Sequence, residues 1–226
     1  IYMKHPRIIR IKADMVDQMD YDKILSMYQD RFKDASDFTF IFVGNVDVEK
    51  MKPVIAEYLG ALPAVNRKET FKDNKIEMRQ GIYKNEFTKQ QETPKASVFA
   101  FYNGDCKYDL RNNLLLSMTS QILDLVYTEK VREDEGGTYG VYVGGTLQKY
   151  PKEKAILQII FDTAPEKKEK LMKIIFGEID NITKTGPSEA NLNKVKEYML
   201  KKHTEDLKEN SYWLGSIDEY LYTGMN

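Results

Sequence analysis

What limits the fold most is a lack of room between strands. Two pairs of strand-like runs, Ile82 to Phe87 with Ala96 to Tyr102 and Tyr139 to Leu147 with Ala155 to Phe161, have no helix inside either pair. Parallel neighbours need a crossover of about a dozen residues or more, so this spacing argues against a fully parallel sheet and for antiparallel pairing. Between and after these runs the apolar period lengthens. Leu114, Leu115, Met118, Ile122, Leu125 and Val126 form one stripe on a helix from Lys107 to Arg132, and Leu171, Ile174, Ile175 and Ile179 form another. After a TGPSE break, where Ser188 can cap, Leu192, Val195 and Met199 face inward on a third helix, and NSYWLGSIDEYL adds a shorter amphipathic piece. The expected class is α+β: a largely antiparallel sheet covered on one face by long helices.

The amino-terminal part is less regular. Residues 1–16 show no clear pattern and read as a lead-in. Ile24, Met27, Tyr28 and Phe32 fall at helical spacings, and FTFIFVG, Phe38 to Gly44, reads as a buried strand. Asn45 or Asp47 then caps a helix through VEKMKPVIAEYLGAL, with Gly60 and Pro63 ending it. Residues 64–75 are polar and read as an internal linker. The 226 residues, 42% of them hydrophobic, suffice for a substantial core, and residues 1–226 are read as a single domain. The opening without methionine and the stop inside a helix-like run suggest a piece of a longer protein.

Several classes of chemistry find no support. Lys plus Arg number 34 against 35 for Asp plus Glu, so no bulk attraction to nucleic acid or an anionic membrane is indicated. No apolar run reaches the ~18 residues of a membrane span. Cys106, the only cysteine, cannot form an internal disulfide and reads as a small residue near a strand end. The histidines are His5 and His203, with no pair one helical turn apart, so no self-contained zinc site is expected. HTED, His203 to Asp206, reads as a solvated helix face, and so does the lysine-rich run around it. No G-x-S-x-G is present, and the lone glycine of FVGNVD reads as a strand-to-helix turn.

The remaining feature is VREDEGGTYGVYVGG, Val131 to Gly145, where the long helix gives way to a strand. Arg132 brings a rigid fork of donors and Tyr139 a phenolic donor, while Gly136 and Gly137 permit a tight bend between them. At the mouth of a cleft such donors grip a peptide carbonyl or an oxyanion formed from it. From the residues alone the plainer alternative is favoured: Arg132 pairs with a nearby carboxylate and Tyr139 packs as an ordinary strand aromatic.

REDEGGTYGVYVGG, with FTFIFVGNVDVEKMKPVIAEYLGALP upstream, resembles the carboxy-terminal half of M16 metallopeptidases, the family of pitrilysin, insulin-degrading enzyme and the mitochondrial processing peptidase. The resemblance runs from about Asp17 over most of the chain and implies a LuxS/MPP-like metallohydrolase fold. It further implies two half-enzymes closing on an unfolded peptide, with zinc held in the amino-terminal half by H-x-x-E-H and a distal glutamate. No H-x-x-E-H occurs here, so this piece is expected to bind no metal and to be inactive alone.

Carried over by resemblance, Arg132 and Tyr139 are the residues the partner half sends to the substrate backbone. Gly136 and Gly137 form the bend, and the strand that follows supports an extended peptide. The implied partners are the zinc-bearing half of the same protein and a peptide or unfolded protein. A bacterial periplasmic or membrane-associated setting comes with the resemblance, and so does a choice between the last domain and the second. Non-catalytic members of the family leave a peptide-binding or assembly role as the alternative.

Overall fold

The computed structural model describes residues 1–133 and 138–225, and of Arg132, Glu133, Thr138 and Tyr139 it describes the backbone. Backbone contacts divide the chain into two compact units, Ile1–Gly81 with Asn210–Asp218, and Ile82–Glu209 with Glu219–Asn226.

In the first unit, Asp20 caps α1 (Tyr21–Phe32) by accepting from the Lys23 amide at 3.0 Å. Asp47 caps α2 (Val48–Tyr58) in the same way, accepting from the Lys50 amide at 3.2 Å. The carboxylate of Asp34, only 4% exposed, accepts from the amides of Ser36, Val65 and Arg67. That ties the polar stretch after α2 back to the end of α1. From the end of α2 to residue 95 the chain forms no helix or strand.

Two expected strands are therefore absent. Phe38 to Gly44 has no ladder partner, and Phe38, Phe40 and Phe42 are exposed, with Phe38 and Phe40 packed edge to face, ring centroids 6.2 Å apart. Ile82 to Phe87 is likewise unpaired, with Ile82 96% exposed. Strand propensity reports which side chains suit a pleated, half-buried surface, and it does not supply the neighbour that completes the ladder.

The second unit carries the sheet. β1 (Ala96–Asp105), β2 (Thr138–Gln148) and β3 (Lys154–Thr163) lie in the order β1-β3-β2, antiparallel throughout. Alternation along the central β3 sends Ile159 and Phe161 into the core beneath α3 (Leu110–Tyr127) and α4 (Lys168–Thr185). Leu171 and Ile175, one helical turn apart on α4, are fully buried there. Each such side chain contributes roughly 1.5–3 kcal/mol on burial. Ser188 caps α5 (Glu189–Asp206), whose Val195 is buried, with Leu192 and Met199 beside it. α6 (Asn210–Thr223) closes the chain.

α3 differs from its expected stripe. Leu114 and Leu115 are about half exposed, while two different faces are buried: Leu123 and Tyr127 against the sheet and α4, Ile122 and Val126 against α5. A helix gripped from two sides spreads its apolar residues around its circumference, which blurs a single 3.6-residue stripe. Helices cover one face of the sheet. On the other face Phe99, Ile160 and Tyr142 sit abreast across the three strands, with Phe99 and Tyr142 61% and 55% exposed.

Candidate functional site

The corner that leads to Arg132 is built from the end of α3. After Tyr127 the helix widens into a π turn, Thr128–Glu133. Four attachments hold this turn in place. The Tyr127 hydroxyl donates to the Ile175 carbonyl at 2.9 Å, and burial pushes that phenol's pKa up, with Tyr102 and Glu178 adding to the effect. Lys130 pairs with Glu178 of α4, and Val131, 1% exposed, is packed among Leu123, Ile159 and Phe161. Lys194 of α5 stands 3.6 Å from Glu129 on the same turn. The backbone thus arrives at Arg132 from a buried and anchored neighbour. Wide turns of this kind occur disproportionately at functional sites.

The other end of the segment begins β2. Thr138 pairs with Thr163, but the next pair is Val141 with Phe161, so Tyr139 and Gly140 together stand opposite the single residue Asp162. This is a β-bulge, with Gly140 at φ +136°. On Asp162 the Ser97 hydroxyl, 2.5 Å from Oδ1, and the Lys95 ammonium, 2.9 Å from Oδ2, hold the carboxyl below its usual range. Thr163, 4% exposed, has a hydroxyl with no partner among the described residues. β2 is an edge strand, and its outer row of amides and carbonyls has no strand beside it among the described residues.

The structure therefore brings the two ends of the Arg132–Tyr139 segment to one corner, where α3 runs into β2. Gly136 and Gly137 lie outside the described residues, as do the side chains of Arg132 and Tyr139. Further along the strand, Val143 packs toward the helices and Tyr142 lies on the open face. Sequence reasoning passed over Gly145. A Cβ there would come within 2.6 Å of Ser120 Oγ and 2.7 Å of Leu116 Cγ, because α3 presses on the β2 backbone at that point. It also passed over the anchors Tyr127 and Val131, whose only signal was their place one helical turn apart at the end of α3.

The donors present do not fit zinc. His5 Nε2 lies 3.1 Å from the Asn74 carbonyl oxygen, and Asp206 of the HTED run is taken by Lys202 at 2.6 Å. Among the described residues no three of His, Cys, Asp and Glu gather as a metal would require. His203 and Lys202 instead border a groove of about 690 Å³ between α3 and α5, together with Gln121, Asp124, Lys194 and Tyr198. No helix among the described residues is long and apolar enough to cross a membrane.

A one-sided antiparallel sheet with the order strand, helix, two strands, two helices defines the LuxS/MPP-like class of two-layer domain. Residues 18–199 match the family description "Peptidase M16 inactive domain", and the chain belongs to the M16 peptidase family. It is 23% identical over 220 residues to a protein of Arabidopsis thaliana described as zinc protease PQQL-like, covering 92% of this chain. The periplasmic protease PqqL of Escherichia coli superposes on 93% of the chain with a TM-score of 0.76 at 20% identity, covering 23% of that protein. A mutant of the ferredoxin protease FusC, solved with Arabidopsis ferredoxin, superposes on 99% of this chain with a TM-score of 0.70 at 14% identity, covering 24% of FusC. The chain spans 23% of the length of the curated relatives it matches. It is a domain of the M16 type.

Proposed function

We propose that this chain is the substrate-holding part of a zinc endopeptidase whose metal site is carried by the amino-terminal half of the same protein. Arg132 and Tyr139 are the residues that act. The guanidinium fork binds a peptide carbonyl, and the phenol donates to the oxygen on which negative charge develops as that carbonyl is attacked. Gly136 and Gly137 form the bend between them. The observation that carries the reading is the corner itself. One end of the segment is anchored in the core through Val131, and the other opens an edge strand able to pair with an extended chain. A peptide or unfolded protein is the substrate class, a reading supported by the proteases among the relatives and by the ferredoxin bound to FusC. The proposed compartment is the periplasm, that of the E. coli protein, and cell fractionation tests it.

The test is the kinetics of Arg132→Lys and Tyr139→Phe in the complete protein. Each lowers kcat/KM by about 10²-fold, the size of an oxyanion-donor deletion. Unchanged kcat/KM in both variants refutes the assignment. A second reading, a peptide-binding or assembly domain without catalysis, is favoured by the match to a domain described as inactive. Absence of H-x-x-E-H from the amino-terminal half of the complete protein decides for it.

A further inference from the structure

The segment that carries Arg132 and Tyr139 is bracketed by two backbone irregularities. The π turn Thr128–Glu133 precedes it, and the bulge at Tyr139–Gly140 follows. From Val141 to Gln148 the pairing with β3 is regular, so the bulge is confined to the first residues of the strand. A device that protects an edge from unwanted pairing would interrupt the exposed row, and here that row is left intact.

The reason for glycine at 140 follows from its surroundings. Among the described residues nothing lies within 4 Å of the point where a Cβ would stand, so none of them requires glycine there to make room. What only glycine readily supplies is the conformation, φ +136°. Gly145, five residues on, is the opposite case, with no positive φ and a crowded Cβ position. The bulge also changes parity. Thr138 pairs with Thr163, and Val141, three residues on, pairs with Phe161, only two residues back, where a regular ladder would advance both strands equally. Tyr139 thereby takes a register position opposite Asp162, which belongs to the face not covered by helices.

We infer that Gly140 is a positioning residue: its bulge sets the register position from which Tyr139 acts, while the anchored π turn fixes the backbone that leads to Arg132. The inference rests on the proposed role of Tyr139, and the test separates the two. In the complete protein, kcat and KM are measured for Gly140→Ala, Tyr139→Phe and the double variant, with thermal unfolding to confirm folding. Misplacement of a reacting group by about 1 Å costs up to about 10²-fold. Gly140→Ala is expected to lower kcat at least about 10-fold with little change in KM, and by less than about 2-fold when added to Tyr139→Phe. A second variant, deletion of Gly140, removes the extra residue and is expected to behave in the same way.

A loss of the same size in both backgrounds marks a merely structural role and overturns the inference, as does wild-type kcat in Gly140→Ala. Should Gly140→Ala not fold, the deletion carries the test, and failure of both to fold shows the bulge to be structural and also overturns it. If Tyr139→Phe alone leaves kcat/KM unchanged, the proposed role of Tyr139 fails first and takes this inference with it.

Discussion

Two adjacent glycines in β2, Gly144 and Gly145, are expected to respond to the same substitution in opposite ways. An alanine Cβ at 145 would lie 2.6 Å from Ser120 Oγ, 2.7 Å from Leu116 Cγ and 3.0 Å from Leu116 Cδ1. Comfortable separations between such atoms are about 3.5–4.0 Å, so something must move by close to 1 Å. Ser120 is 8% exposed and its hydroxyl is bound to the Leu116 carbonyl at 2.9 Å, so the side that yields is α3 itself. Overpacking of this kind costs about 1–3 kcal/mol. Replacing a glycine also restricts the unfolded chain and returns about 0.4–1 kcal/mol. At mid-range Gly145→Ala is therefore destabilising by about 1.3 kcal/mol, a fall in Tm of about 3–5 °C at about 2–4 °C per kcal/mol.

At 144 the neighbours are Tyr142 Oη at 2.5 Å and Gln158 Nε2 at 3.1 Å, both at the far ends of flexible side chains. Tyr142 is 55% exposed and can swing away, losing only a long 3.4 Å contact with Gln158. Gly144→Ala is expected to leave Tm unchanged or slightly raised. Thermal unfolding followed by circular dichroism measures both. Equal shifts, or an unchanged Tm for Gly145→Ala, would falsify the claim that α3 rests on the β2 backbone.

Two further outcomes follow from polar groups. Thr163→Val removes a buried hydroxyl that finds no partner among the described residues, and it is expected to raise Tm by a few degrees, since such a group costs about 1–3 kcal/mol; a lower Tm would show that the hydroxyl is bonded in solution. Asp34 is held below the usual carboxylate range, first by the Ser36 hydroxyl and then by the amides of Val65, Arg67 and Ser36, with burial opposing. Its folded pKa is depressed, so its stabilisation is full above the unfolded value of about 3.9 and is lost as pH falls through the folded value. Asp34→Asn is therefore expected to lower Tm at neutral pH and to narrow the gap from wild type below about pH 3; a gap independent of pH would refute this.

The parts of the fold that were legible in the sequence are those in which one contact face decides the pattern. Leu171 and Ile175 meet the sheet on a single side of α4, and Ser188 caps α5 by the chemistry its position predicts. The parts that were not legible depend on partners or on irregularity. Phe38 to Gly44 has every side-chain feature of a strand, yet a ladder requires a second chain segment that composition does not name. Leu114 and Leu115 fitted a helical stripe, but the helix turns Leu123 and Tyr127 to the sheet instead. At the site, residue types pointed to Arg132 and Tyr139, while the anchoring was invisible. A π turn and a bulge each add a residue to a regular ladder, and neither leaves a period behind it. Gly140 and Gly145 look alike as letters, although one supplies a conformation and the other a space.

The double grip on α3 also decides where the chain can change length. One residue inserted within Leu110–Tyr127 would rotate everything beyond it by about 100° and advance it about 1.5 Å, lifting Leu123 or Tyr127 out of one seam without seating it in the other. Tags, labels and evolutionary insertions are thereby steered to the hairpin at 149–153 or to the irregular stretch ahead of β1, where no core contact is counted in turns of a helix.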